Sequence, residues 1–506
     1  MRNLATPGVT IEEIASFPPS VAPVGTAIPA FVGHVANANA PDGSTNIGVS
    51  RRLTSLLEFE SFYGRPAAQA LTVSVTKNEA FGGGLIGVDV SFTNPPEAVP
   101  AQPRLLYHAM QLYFANGGGP CYVHAIASAG VTAADFATAF TALEAVDEAT
   151  ILCFPDALAL SPAIGDTDYG AVVSSALQSC NRMQDRVAVS DVQNAHPGAA
   201  ANIVNTNALV TTEFRERVTL VSEDFLKYGM AYYPYISTNI GILVNEDTVT
   251  IDSASSETIT LDANGVPQAP VALLPGDPVL SSTDLQGDAT ANPVTPGEKA
   301  VVDAIRDLLR KTRVTMPPSP AMAGAYARVD RTKGVHVAPA NVGIVNAIEP
   351  ALPMTNDLNG QLNVDATSGK SVNVIRSFTG RGTLIWGART LAGNSNDWRF
   401  INVRRFFNFA EESIEKAIAP FVFAPNDANT WVRVRTMIEN FLTVQWRAGA
   451  LVGPKPEDAF NVRVGLNQTM TAEDILNGLM IVRVGMAVSR PAEFIVLEFI
   501  QELQQA

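Results

Sequence analysis

Residues 397–465 constrain the fold most, because their apolar side chains follow two successive helical periods. The apolar and basic stretch over residues 401–407, with Ile401, Val403, Phe406 and Phe407, predicts a strand that leads into a helix beginning near Asn408. A second helix is predicted after a cap at Asn426 or Asp427, and a final strand follows it. The stretch contains no nucleophile, general base or group of ligand residues. We therefore interpret it as a packed platform and not as a catalytic site.

Further upstream, strands and helices alternate. Strands are predicted at residues 122–126, 151–154 and 187–189, with a helix in each interval. Such alternation with short links implies a partly parallel sheet covered by helices. Ligand crevices of these sheets lie past the strand carboxyl ends, here at Asp156 and Asp191. These aspartates could form a site, but loop aspartates more often cap helices or turns, and we favour caps.

Both chain ends carry strand patterns that one chain does not easily complete. Val9 and Ile11 alternate with polar residues, and the proline-rich stretch after them can hold a strand away from its own domain. An ordinary edge strand is the alternative. Residues 494–500 are apolar on both faces, so a sheet must cover them, either their own or a neighbour's. We predict strand exchange between copies through Val9, Ile11, Ile14, Phe494, Ile495, Val496, Leu497 and Phe499.

Two segments, residues 66–100 and 241–298, have the pattern of β-rich insertions. The first contains GGGLIG at residues 82–87. A dinucleotide site requires a helix after this motif, whereas an alternating strand follows it. Between Lys227 and Lys299 there are nine acidic residues and no basic residue. Because a calcium loop of the DxDxDG type is missing there, we interpret the second segment as a solvated insertion at the outer surface.

Motifs of known catalytic or cofactor sites are incomplete. Gly369-Lys370-Ser371 imitates the end of a phosphate loop, but Val364 stands where an earlier glycine is required. The five histidines lie singly, and the three cysteines lack metal-ligand spacing. We therefore expect no catalytic, cofactor-binding or metal-binding residues and no enzyme activity. An α/β enzyme built on residues 121–191 is the least favoured alternative.

The charge content is low, since 16% of the 506 residues are charged and 47% are hydrophobic. A large interior would explain this, but we favour a surface that largely faces other copies, because interface centres are depleted in charge. The net charge of −15 argues against nucleic acid as the main partner. A secretory signal and a long apolar run are both missing, so we expect assembly in a reducing cytoplasm without membrane insertion.

Four segments resemble the contractile tail sheath proteins of phages and phage-tail-like injection machines. NVRRFFNFAEESI begins at residue 402, and FAPNDANTWVRVR, FLTVQWRAGALVG and DAFNVRVG follow in order. Residues 316–341 resemble the family's Pro-Pro-Ser, Ala-Gly, Ala-Arg-x-Asp and Ala-Pro-Ala-Asn pattern. The chain ends, residues 6–14 and 490–501, resemble its two arms. The likeness is dense in the C-terminal third, good at the N-terminus and loose in the middle.

Together with the pattern of elements, the resemblance implies a mixed α/β (α+β) fold of several domains. A discontinuous core, including the C-terminal platform, would comprise residues 21–45 and 314–489. Residues 46–313 would form an outer α/β domain that carries the two β-rich insertions. Residues 1–20 and 490–506 would be the N-terminal and C-terminal exchange arms.

The resemblance also implies a function. Subunits of such a sheath polymerise helically around an inner tube and contract to drive it through a target envelope. The implied partners are further copies of the chain, the inner tube protein, the baseplate and a tail terminator or cap protein. The particle would be a phage tail or a phage-tail-like machine assembled in a bacterial cytoplasm. Glu473 and Asp474, in a short helix capped by Thr471, are candidates for contact with the tube. A non-contractile structural phage or capsid-like protein is the main alternative.

Overall fold

The computed structural model of the protein describes residues 21–97, 99–127, 131–160, 167–197, 209–252, 255–264, 266–268, 271–272 and 296–496. The chain divides into two compact units: Thr26–Arg404, and Met1–Gly25 together with Arg405–Ala506. The predicted boundaries at 45/46 and 313/314 fall inside the larger unit, and the predicted division into core and outer domain stays a prediction.

The strands of the described residues are numbered in chain order: β1 (Pro29–His34), β2 (Ser50–Leu53), β3 (Thr72–Glu79), β4 (Leu85–Phe92), β5 (Cys121–Ile126), β6 (Ile151–Cys153), β7 (Val187–Asp191), β8 (Gly229–Tyr233), β9 (Ile236–Gly241), β10 (Thr250–Ile251), β11 (Glu257–Thr260), β12 (Val271–Ala272), β13 (Arg313–Met316), β14 (Val342–Gly343), β15 (Ala347–Pro350), β16 (Asn373–Phe378), β17 (Gly382–Trp386), β18 (Phe460–Arg463) and β19 (Arg483–Met486).

The α-helices of the same residues are α1 (Leu56–Tyr63), α2 (Arg104–Ala115), α3 (Ala133–Leu143), α4 (Asp168–Met183), α5 (Glu223–Leu226), α6 (Pro296–Lys311), α7 (Ser319–Lys333), α8 (Asn356–Asn363), α9 (Ile401–Ile418), α10 (Ala428–Arg447), α11 (Pro456–Ala459) and α12 (Ala472–Leu476).

The larger unit is built on a nine-stranded sheet with the order β14-β17-β16-β8-β7-β6-β1-β5-β2. The strands from β16 to β5 in this order run parallel to one another. At the two edges, β17 pairs antiparallel with β16, and β2 pairs antiparallel with β5. The chain passes from β5 through α3 to β6 and through α4 to β7, and the prediction of a partly parallel, helix-covered sheet is confirmed.

Aromatic side chains fill the core between this sheet and its helices. Phe31 on β1 lies edge-on to Tyr113 on α2, with ring centroids 5.1 Å apart, and Phe140 on α3 contacts Phe154 at 5.4 Å. All four side chains are buried. Burying each stabilises the fold by about 1.5–3 kcal/mol relative to leaving it exposed, which is why the parallel strands need helices against them.

The two β-rich insertions, distant in sequence, share one five-stranded sheet in which β3 pairs with β4, β10 and β11, and β12 extends from β11. Val73 and Val75 on β3 pack in a separate core with Val301 and Ile305 of α6. Residues 273–295 of the second insertion lie outside the described residues. The GGGLIG stretch forms the turn between β3 and β4 and the start of β4. A strand follows the motif, as the sequence pattern predicted.

The smaller unit contains α10 and most of α9. Helix α9 begins at Ile401, so the predicted strand over residues 401–407 is wrong. Residues 401–406 are all buried, Asn402, Arg404 and Arg405 included, and a segment buried on every side has no exposed face whose period would distinguish a helix from a strand. The Asp427 carboxylate caps α10 by accepting from the Thr430 backbone N–H at 2.9 Å, and Phe409 contacts Phe441 at 5.9 Å between ring centroids. The two predicted helices and the strand after them are confirmed.

Candidate assembly interface

The platform carries a small antiparallel sheet of β18 and β19 near the C-terminus. Phe460 lies opposite Met486, and Val462 lies opposite Val484. Phe460 and Val462 are buried, whereas the alternate residues of β18 are exposed. One face of the sheet therefore packs on the platform, and the other faces solvent.

Among the described residues, no third strand pairs with the long edges of β18 and β19. Residues 450–452 pair with residues 487–489, beyond the end of β19. The Ala487 N–H donates to the Ala459 carbonyl at 2.9 Å, which fixes the alternation of hydrogen-bonded positions along the ladder. By that alternation, Phe460 and Val462 direct their backbone N–H and C=O groups away from β19. A two-stranded sheet with such edges is marginal alone and is a template for further strands.

An open cleft of about 580 Å³ lies along β18. Its wall on α10 includes Arg435 and Glu439, which form an ion pair at 2.8 Å. Helix α11, strand β18 and the loop after it supply the rest of the lining: Glu457, Phe460, Asn461, Val462, Arg463, Asn467 and Gln468. An extended peptide can therefore approach the edge of β18 from solvent.

The predicted exchange residues are only partly described. Val9, Ile11 and Ile14 at the N-terminus, and Leu497 and Phe499 at the C-terminus, lie outside the described residues. Phe494, Ile495 and Val496 are 72%, 78% and 80% exposed and form no strand within the single chain. Other residues of the same chain therefore do not bury these three consecutive apolar side chains. Strand exchange itself stays a prediction.

The two predicted tube-contact residues occupy α12 and differ in their surroundings. Thr471 caps this helix as predicted, and the Asp474 carboxylate accepts from the Thr471 backbone N–H and hydroxyl, both at 2.8 Å. These hydrogen bonds lower the pKa of Asp474. Glu473 is exposed, as is Leu476 one turn later, at 86%. Asp474 is therefore engaged in capping its own helix, and Glu473 is the side chain presented to solvent.

The two aspartates at the strand carboxyl ends are buried, and one of them, Asp191, caps a helix as predicted. Asp191 accepts from the backbone N–H and the hydroxyl of Ser319, the first residue of α7, at 2.7 and 2.6 Å. Burial raises the pKa of Asp191 to about 7. The carboxylate thus joins the end of β7 to the start of α7 and has no exposed surface to offer a substrate.

Asp156 has a partner that sequence reasoning missed. Its carboxylate accepts from the backbone N–H of His34 at 2.5 Å and lies 3.0 Å from the His34 Nδ1. Both side chains are fully buried, and burial raises the pKa of Asp156. His34 ends β1 and Asp156 follows β6, its neighbour in the sheet. Only the order of the strands brings the two together, since 122 residues separate them in sequence.

Lys370 of the false phosphate loop is also part of the interior. Its ammonium donates to the backbone carbonyls of Arg215 and Val218, and Arg215 in turn donates to the Lys370 carbonyl at 2.8 Å. These contacts tie Lys370 to residues 215–218, so its ammonium is occupied by backbone carbonyls in the interior. Within the described ranges, no group of three metal-ligating side chains occurs, and no helix is both long and apolar enough to span a membrane.

Comparison with known proteins adds independent information. Residues 394–502 match the family described as the phage tail sheath C-terminal domain. The chain is similar to the sheath of an extracellular contractile injection system, PVC, in the contracted state, with 26% identity and a TM-score of 0.60, over 100% of this chain and 99% of that one. It is similar to the contracted helical sheath of the anti-feeding prophage (AFP), with 29% identity and a TM-score of 0.60, over 98% and 99% of the two chains.

A chain from the six-fold symmetrised AFP baseplate has the same 29% identity and TM-score of 0.60, over 99% of each chain. No curated protein matches this chain. The structural matches span both units of the chain, whereas the family match covers the platform and the segment after it.

Proposed function

We propose that the chain is a contractile tail sheath subunit whose copies join into a helical sheath by exchanging terminal strands. Residues 394–502 match the phage tail sheath C-terminal domain, and the whole chain is similar to contractile injection system sheaths. The observation that carries this proposal is the β18–β19 sheet with two open edges. The non-contractile structural protein is not favoured, because the matching sheaths are described in a contracted state.

The open edges and the uncovered tail are complementary. The outward backbone groups of β18 lack a strand partner in the described residues, and Phe494–Val496 are exposed apolar residues with strand-forming side chains. Each added backbone hydrogen bond contributes about 0.5–1.5 kcal/mol net to stability. A five-residue strand therefore contributes several kcal/mol before the burial of its side chains is counted. A tail that pairs with a neighbour makes a head-to-tail contact, which does not close on itself and so builds a helix.

The remaining partners follow from the same proposal. The helix would surround an inner tube, and Glu473 on α12, with Asp474 beside it, would contribute to that contact. Baseplate and terminator or cap proteins would bind the two ends of the helix, in a particle assembled in a bacterial cytoplasm. One similar chain is itself part of a baseplate structure, which supports a baseplate contact for this chain.

Contraction requires that the compact lattice have the lower free energy. About 400 Å² of additional apolar burial per subunit would provide roughly 10 kcal/mol as an upper value. The paired strands would keep neighbouring copies attached while the subunits rotate. Nucleotide hydrolysis by the chain is then unnecessary, in agreement with the structural roles of Lys370 and Asp191.

Electron microscopy and sedimentation of the purified chain test the proposal. The full chain should form helical tubes or sheath-like polymers that pellet. Deleting residues 493–506 should leave a folded chain, with an unchanged circular dichroism spectrum, that stays monomeric. Normal polymers from the truncated chain would rule out strand exchange through the C-terminal tail. Closed rings or shells from the full chain would favour the non-contractile alternative.

A further inference from the structure

One face of the hairpin formed by β16 and β17 gathers aromatic and basic side chains. Arg376 and Phe378 lie two residues apart on β16 and therefore share a face of the sheet. The Phe378 ring contacts the Trp386 ring of β17, with centroids 4.5 Å apart. The guanidinium group of Arg376 lies 5.4 Å from the centroid of the Phe378 ring, and that of Arg381, in the turn between the strands, lies 5.9 Å from it. One aromatic ring therefore contacts two positive charges.

Neither arginine forms an ion pair with an acidic side chain in the described ranges. Arg381 donates a hydrogen bond to the side-chain oxygen of Asn341. Arg376 donates none to the described residues, and its Nε is buried although the residue as a whole is partly exposed. Two like charges at one ring repel each other, and a buried N–H without an acceptor is unfavourable. The hairpin thus holds these charges in place without neutralising them.

Further positive charge lies at the same edge of the nine-stranded sheet. Strand β17 pairs with β14, the edge strand, and Asn341 immediately precedes β14. Arg328 of α7 donates to the carbonyl of Gly343 on β14. Burial and the nearby charge of Arg331 lower the pKa of Arg328. In the part of the chain that the structure describes, no ion pair joins Arg328 or Arg331 to an acidic side chain, and positive charge continues along this edge.

The chemistry of these groups selects carboxylates on another copy of the chain. A guanidinium group presents a planar fork of N–H donors that matches the two oxygens of a carboxylate. The chain has 49 acidic and 34 basic residues, so each copy presents an excess of carboxylates to its neighbours. The same excess opposes the approach of a nucleic acid.

We infer that Arg376 and Arg381 bind an acidic segment of a neighbouring copy. This inference rests on the proposed polymerisation of the chain and assigns to it one contact that the larger unit makes, independent of the terminal strands. The Nη groups of both arginines donate to carboxylate oxygens of that segment. Phe378 and Trp386 hold the guanidinium groups in position, so the arginines lose little conformational freedom on binding.

Paired substitutions test the contact. Arg376→Gln together with Arg381→Gln should raise the lowest protein concentration that gives sedimenting polymer by roughly threefold or more, because the neighbour's carboxylates lose their donors. Arg310→Gln together with Lys311→Gln is the matched control, since it removes the same charge from the exposed end of α6. The control should polymerise at the wild-type concentration. Equal effects of the two double variants would mean that net charge alone acts, and the inference would fail.

A change at the ring separates position from charge. Phe378→Leu keeps every charge and removes the ring that holds the two guanidinium groups. This variant should also require a higher concentration to polymerise, by a smaller factor than the double arginine variant, with an unchanged circular dichroism spectrum. Polymerisation at the wild-type concentration would contradict the role of the ring and of the site built on it.

A photochemical cross-link identifies the partner directly. Copies that carry benzoylphenylalanine in place of Phe378 are assembled with isotopically labelled wild-type copies, illuminated, digested and analysed by mass spectrometry. The expected product joins an unlabelled peptide to a labelled one that contains aspartate or glutamate. Products confined to one copy, or joined to a peptide without an acidic residue, would overturn the inference. Binding of inorganic phosphate at Arg376 and Arg381 without any cross-link between copies would do the same.

This contact and strand exchange fail independently. Normal polymers from a chain without residues 493–506 that still give the cross-link would rule out exchange of the C-terminal strand and support the arginine contact. Polymers that require residues 493–506 but give no cross-link at position 378 would support strand exchange and rule out the arginine contact.

Discussion

At the scale of single residues, the buried carboxylates of the larger unit act as connectors. Asp191 joins a strand to a helix through Ser319, and Asp156 joins two neighbouring strands through His34. Each accepts hydrogen bonds in a buried site, but among the described residues the Asp156 Oδ1 has no hydrogen-bond partner, which is costly for a buried oxygen. Both lie at the carboxyl edge of a parallel sheet, where catalytic residues also lie in other proteins. Their hydrogen bonds, however, are to backbone and side-chain groups of other residues in the same chain.

A pH dependence of stability follows from Asp191. Burial raises its pKa to about 7 from 3.8, so the folded chain holds this proton more tightly than the unfolded chain. The contribution of Asp191 to the free energy of unfolding is therefore fully present below pH 3.8 and decreases as the pH rises to about 7. The total decrease is about 4 kcal/mol at most. Asp191→Asn should flatten this part of the pH profile. Urea unfolding between pH 4 and 8 measures it, with Asp303→Asn as the exposed control.

A second residue-scale prediction separates the two acidic residues of α12. Glu473→Lys should weaken assembly on the inner tube and leave the folding of α12 unchanged, because this carboxylate is exposed and caps nothing. Asp474→Lys should in addition loosen α12, since Thr471 loses its acceptor. Co-sedimentation with tubes and hydrogen exchange of residues 471–479 measure the two effects. Unchanged tube binding by both variants would exclude α12 as the tube-facing element.

At the scale of elements, the platform depends on the packing of α9 against α10. Phe409 and Phe441 meet in its core, and Phe406 contacts Phe409 at 6.0 Å between ring centroids. Phe441→Ala should therefore lower the free energy of unfolding of the platform by about 3–5 kcal/mol. Thermal unfolding measures the change, and Val444→Ala, on the exposed side of the same helix, should have little effect.

Substitutions in β18 can distinguish the folding of the small sheet from its role in assembly. Val462 directs its N–H to the open edge, so Val462→Pro removes a donor that an added strand needs without removing a bond to β19. The variant should fold and fail to polymerise. Val462→Ala loses part of the same buried side chain and keeps the N–H, so it is the matched control. Equal polymerisation of both variants would show that the edge of β18 is not an acceptor.

At the scale of the whole molecule, each copy carries a net charge of −15, and a sheath brings many copies together. Their mutual repulsion is screened as the Debye length falls from about 30 Å at 0.01 M salt to about 8 Å at 0.15 M. Polymerisation of the full chain should therefore become more favourable over that range. Sedimentation at a series of salt concentrations measures it. A steady loss of polymer with added salt would mean that attraction between charged groups outweighs the repulsion.

Much of this architecture can be predicted from local sequence patterns. The alternation of strands and helices over residues 121–191, the cap at Asp427 and the capping of α12 by Thr471 depend on neighbours in sequence, and all three are confirmed. The rejection of the GGGLIG and Gly369-Lys370-Ser371 motifs depended on the same kind of local information. The start of α9 was wrong because a run buried on all sides loses the period that identifies a helix.

The sequence by itself determined the class of fold and the resemblance to sheath proteins, because each depends on residue types within a few positions of one another. The two unfinished tails stay a prediction from the same kind of pattern. Only the tertiary structure decided which distant elements meet. It placed His34 beside Asp156, joined the two β-rich insertions in one sheet and set Arg463 opposite Arg483. The physical reason is that strand order and register are fixed by packing over the whole chain, and no local pattern records them.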